Sequence, residues 1–138
     1  MAHANFKFVK FGKHLGDVED ELSGAGAFEF KGKSTDPKTF TIAGEPRGDG
    51  YLLIQAYDVG VYSHEIKINE RPLPAHDIPP DAAANRWQTW MDYIPAGYLE
   101  NGSNSIQIVR GNNELTTGTD KGDDNFLIQG VTIHWMED

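Results

Sequence analysis

The chain has no cysteine among its 138 residues, which excludes disulfides, thiolate metal sites and a cysteine nucleophile. No segment approaches the roughly 18 consecutive apolar residues that read as a membrane helix. The opening "MAHANFKFVKF" lacks the apolar stretch of a signal peptide, so a cytoplasmic location is expected. Basic residues are scarce: 12 Lys and Arg stand against 21 Asp and Glu, a formal net charge of −9. An acidic surface without a basic stripe disfavours nucleic acid and anionic membranes as partners. Long uninterrupted segments are missing too, because 15 Gly and 7 Pro divide the chain into short apolar runs. That punctuation points to many strands and turns rather than a few long helices.

Catalytic signatures are equally sparse. There is no G-x-S-x-G elbow, P-loop or dinucleotide fingerprint. Asp58, Ser63 and His64 can be written as a triad, yet nothing marks a strained nucleophile turn or an oxyanion donor. The expectation is that the protein is not an enzyme.

What is present reads as strand after strand. "NFKFVKF" (5–11) sets Phe6 and Phe8 on one face, with Val9 and Phe11 on the other. "FEFKG" (28–32) and "TFTIAG" (39–44) are further short strands. "YLLIQAYDV" (51–59) is apolar at nearly every position from Tyr51 to Tyr57, the pattern of a central strand covered on both faces. "HEIKIN" (64–69) alternates cleanly, and the short link "VGVYS" suggests a hairpin between the two. A Pro-rich excursion (70–86) leads to "WQTWMDYIP" (87–95), a helical-turn-like "AGYLENG", and "NSIQIVR" (104–110). The last strand, "NFLIQGVTIHW" (125–135), groups Leu127, Val131, Ile133 and Trp135 on one face. Seven to eight short strands in one domain, 1–138, predict an all-β antiparallel sandwich. Its expected core is Phe8, Leu53, Ile66, Ile68, Ile106, Ile108, Val131, Ile133 and a tryptophan.

The order of motifs in residues 51–137 resembles the galactose-binding-like jelly-roll sandwiches, the architecture of many carbohydrate-binding modules. The quoted features are a strand ending "YDV", then "SHEIKIN", the intact L-x-x-G-x-N motif "LENGSN" (99–104), and the closing "DNFLIQGVTIHW". The run "YLL-Q-YDV…HEI-IN…IPP…WQ-WMD" is also similar to small haloarchaeal and bacterial proteins of unknown function. The first resemblance implies a jelly-roll fold and a carbohydrate as the class of ligand.

Trp87 and Trp90 are the candidate platform for a sugar ring. Three positions apart on a strand they face opposite ways, so one is expected in the core and the other at the surface. Asp58, Gln88, Asp92 and Asn69 are the candidate hydrogen-bonding partners, with Asp58, Gln88 and Asp92 expected on the face away from the core. A weaker candidate is a structural calcium held by Asp17, Asp20 and Glu21 with Asp123 and Asp124. Acidic, Gly-containing loops supply the oxygen ligands that calcium takes, although "DKGDDN" does not match the EF-hand pattern. No cofactor is required by the reading. The five histidines, His3, His14, His64, His76 and His134, show no zinc-helix spacing. The leading function is a non-catalytic binding module. The alternative is a self-assembling structural subunit, a homo-oligomer formed through a flat aromatic face or a strand edge.

Overall fold

The computed structural model describes residues 2–16, 28–59, 64–74, 78, 86–111 and 125–138. These hold nine strands: β1 (His3–Leu15), β2 (Glu29–Gly32), β3 (Lys38–Ile42), β4 (Pro46–Tyr57), β5 (Glu65–Ile68), β6 (Arg71–Pro72), β7 (Trp87–Ile94), β8 (Gly102–Val109) and β9 (Phe126–Glu137). A five-stranded sheet runs β2-β1-β9-β4-β7, and a four-stranded sheet runs β3-β8-β5-β6. Pairing is antiparallel throughout except for β1 with β2, which is parallel. The architecture is an antiparallel jelly-roll sandwich.

The core lies between the sheets. Leu52, Ile54 and Ala56 on β4 meet Ile66, Ile68, Ile106 and Ile108 from the other sheet, all nearly sealed from solvent. Alternation in "HEIKIN" is realised as expected, with Ile66 and Ile68 buried and Glu65 exposed. The expected hairpin between β4 and β5 is not, because the two strands belong to different sheets. What turns back on β5 is β6, inside the Pro-rich excursion, through a two-residue loop at Asn69 and Glu70. Both have positive φ, 51° and 68°, as a type I′ hairpin turn requires.

Three core assignments change. Phe8 is 49% exposed on the outer face, because β1 buries Val9 and Phe11 instead. Leu53 also points outward and is half-buried. The core tryptophan is neither Trp87 nor Trp90 but Trp135, beside Phe40 at 6.4 Å between ring centroids. The final strand also changes parity midway. Gln55 pairs with Gly130 while Ala56 pairs with Ile128, leaving Gln129 as an extra residue. This bulge puts Phe126 and Ile128 in the core before it and Val131, Ile133 and Trp135 after it. Leu127 thereby joins a separate small cluster with Phe28 and Tyr57.

Candidate functional site

The outer face of the five-stranded sheet is organised in rows, because four of its strands pair in a common register. Phe6 lies opposite His134, His134 opposite Tyr51, and Tyr51 opposite Tyr93. The next row is Phe8, Thr132, Leu53 and Met91. A third row is polar: Lys10, Gly130, Gln55 and Thr89. The fourth closes with Leu127, Tyr57 and Trp87.

Between the third and fourth rows is a cleft of about 410 Å³ lined by Gln55, Trp87, Gln88, Thr89 and Gln129. Its Trp87 indole is braced by Tyr57 at 5.3 Å and Phe28 at 5.9 Å between centroids, yet remains 47% exposed. The bulge in β9 delivers Gln129, and the β4–β7 register sets Gln55 directly beside Thr89. Gln88, from the inner side of edge strand β7, completes the lining. None of the five residues carries a charge. Three carboxamides and a hydroxyl offer both donors and acceptors next to one apolar ring.

The six nominated ligand residues do not form one site. Trp87 and Gln88 line the cleft. Trp90 is 41% exposed but shares its side of β7 with Asp92 and Ile94, opposite Trp87. Both tryptophans are therefore at the surface, because β7 is an edge strand and its inner face is only partly covered. Asp92 was expected to face outward; it is buried next to Leu52 on the inner side, with Oδ1 accepting from the Tyr93 amide at 2.8 Å. Asp58 ends β4 with φ 62°, and its amide donates to the Arg86 carbonyl at 3.3 Å. Asn69 belongs to the other sheet. Its amide group donates to the Tyr98 carbonyl and the Asn104 carboxamide, and its oxygen accepts from the Ser105 amide, each at 2.8 Å.

The calcium candidates Asp17, Asp20, Glu21, Asp123 and Asp124 lie outside the described residues, as do Ser63 and His76. Among the described residues no group of three or more His, Asp or Glu could hold a metal ion. His64 is a buried core histidine whose Nδ1 accepts from the Gly111 amide at 2.8 Å. His14 is buried beside Asn125 at 3.1 Å. Alternation puts Gln55 with Leu53 and Thr89 with Trp87. The expected inward Leu53 and outward Gln88 and Asp92 would have turned both away from the cleft; the structure reverses that assignment. Gln129 was not legible, since only the bulge turns it toward the cleft.

Residues 3–137 match a family described as of unknown function (DUF7383), and the chain belongs to it. No protein of curated function matches the sequence. Among solved structures the chain is similar to a family 35 carbohydrate binding module from an environmental isolate. The two share 19% identity over 92% of this chain and 91% of that one, with a TM-score of 0.54. That likeness shows the fold, a jelly-roll β-sandwich. Looser likenesses are a family 35 module from Paenibacillus barcinonensis, 11% identical over 96% and 97% of the chains at TM-score 0.45, and the CBM36-1 domain of a xylanase from the hindgut metagenome of Trinervitermes trinervoides, 12% identical over 94% and 96% at 0.46. No helix among the described residues is long and apolar enough to cross a membrane.

Proposed function

We propose that this member of the DUF7383 family is a non-catalytic binding module that takes a neutral carbohydrate in the cleft beside Trp87. The observation that carries the reading is the composition of that cleft: one braced, half-exposed indole among three carboxamides and a hydroxyl, without a charge. A pyranose needs an apolar ring against its C–H face and paired donors and acceptors around its hydroxyls. Stacking on Trp87 and hydrogen bonds from Gln55, Gln88, Thr89 and Gln129 meet both needs. The binding-module name of the similar solved structure supports the reading.

Of the two candidate platforms, Trp87 is the one that lines the cleft. Titrating intrinsic tryptophan fluorescence with neutral oligosaccharides should give a saturable change in the wild type and in Trp90→Ala. Trp87→Ala should weaken binding about tenfold or more, as loss of a central aromatic anchor does. Because no carboxylate among the described residues lines the cleft, binding should survive a chelator. A wild type silent across the panel, or a response that Trp90→Ala abolishes and Trp87→Ala leaves intact, would overturn the assignment.

A further inference from the structure

The other half of the same sheet face poses a separate question. "YLLIQAYDV" has the near-continuous apolar pattern of a strand covered on both sides. The sandwich covers only one: Leu52, Ile54 and Ala56 are inside, while Tyr51 and Leu53 point out. Neighbouring strands show the same surplus. Phe6, Phe8, Tyr51, Met91 and Tyr93 are between 41% and 63% exposed, and they occupy two adjacent rows. The rings are ordered: His134 is stacked between Tyr51, at 4.6 Å and 7° between planes, and Phe6, at 5.8 Å and 26°.

We propose that this aromatic face docks a second copy of the chain, sheet against sheet, about a two-fold axis. Area supports the occupant. Half-exposed side chains of roughly 200 Å² each leave about 500 Å² of apolar surface on five residues alone. That is near the top of the ~300–600 Å² range for the largest patch on a typical monomer. Two copies would bury about 1,000 Å² of it before any polar rim is counted, the floor that a biological interface must clear. Shape supports it as well, since two identical sheets share one twist and pack aligned with their side chains interleaved. Charge removes the main obstacle. Copies that each carry a net charge of −9 repel, but these two rows contain no formally charged residue, so the copies meet where repulsion is least. The inference is independent of the sugar reading, because the cleft shares no lining residue with the two aromatic rows.

Sedimentation of the full chain across a concentration series at neutral pH should show mass rising from one chain to two. Phe6→Asp and Met91→Lys, both at highly exposed positions, should each weaken association at least about tenfold while leaving the circular dichroism spectrum unchanged. Trp90→Glu, on the opposite side of the β7 edge, should leave the dimer intact. Hydroxyl-radical footprinting of the wild type gives a second reading that needs no variant: Met91 and Tyr93 should be protected at high concentration and not on dilution, with Trp90 indifferent. A wild type that stays monomeric at the highest concentration overturns the proposal. So does a dimer that survives both face substitutions, or one that only Trp90→Glu disrupts, which would indicate edge-to-edge pairing of β7.

Discussion

Asn104 is almost sealed from solvent and spends its whole carboxamide on backbone and side-chain partners. Its oxygen accepts from the Asn69 side chain and the Glu100 amide, both at 2.8 Å. Its nitrogen donates to the carbonyls of Glu100 at 2.8 Å and Gly102 at 3.1 Å. The residue thus closes the turn before β8 and ties it to the β5–β6 hairpin. Asn104→Ala strips four bonds at once and leaves buried groups unmatched. With each bond worth about 0.5–1.5 kcal/mol net, the loss should be about 2–6 kcal/mol by urea unfolding. The motif "LENGSN" marked this turn in the sequence. Nothing in the chain said that Asn69, thirty-five positions earlier, would be consumed by it rather than offered to a ligand. Spacing along the chain reveals a local cap; a partner from another strand appears only when the strands pair.

At the level of the element, β9 shows how one extra residue redistributes function. Without its bulge, strict alternation would set Leu127 on the same face as Val131, Ile133 and Trp135, as the sequence pattern suggested. With it, Gln129 is delivered to the cleft and Gly130 lies beneath the ring of Phe8. A Cβ on Gly130 would sit 2.5 Å from Phe8 Cζ and 3.1 Å from the Val9 carbonyl oxygen. Gly130→Ala should therefore cost about 1–3 kcal/mol, the usual range for overpacking. The penalty should shrink in a Phe8→Ala background, since the ring is the nearer obstacle. A double-mutant cycle by urea unfolding measures that coupling directly; additive effects would mean that the Val9 backbone, not the ring, sets the cost.

For the whole molecule, acid stability should run through the C-terminal end of β9. The buried Glu137 carboxylate accepts from Trp135 Nε1 at 2.8 Å and Asn5 Nδ2 at 3.0 Å, and His3 Nε2 lies 3.2 Å away. The Trp135 bond first, then the Asn5 bond, hold its carboxyl below the ordinary value of 4.5. A depressed carboxyl contributes stability that is full above its unfolded value and is lost as pH falls through the lower native one. Urea midpoints of the wild type should therefore drop below about pH 4, and Glu137→Gln should flatten that drop. Lys13–Glu29 and Lys31–Asp36 carry the same sign, with Glu29 and Asp36 also held low by their lysines. Their acids are exposed, so their share should be small and should fade with added salt, unlike that of Glu137. Charge alone could not rank these acids, because burial decides which of the 21 matters.

The sequence by itself determined the class of the fold: short alternating runs with dense Gly and Pro sufficed for an all-β sandwich, and the resemblance carried by "HEIKIN" and "LENGSN" implied the jelly roll. It also determined that Trp87 and Trp90 face opposite ways, and that Phe6 and Phe8 oppose Val9 and Phe11, because a strand's period of two is local. Tertiary structure alone decided which of the two faces is the inside. Parity cannot tell inside from outside when both sides of a strand are apolar; only the position of the second sheet does. That sheet covers Leu52, Val9 and Trp135, and it leaves Tyr51, Phe8 and Trp87 on the face where the cleft and the aromatic rows lie.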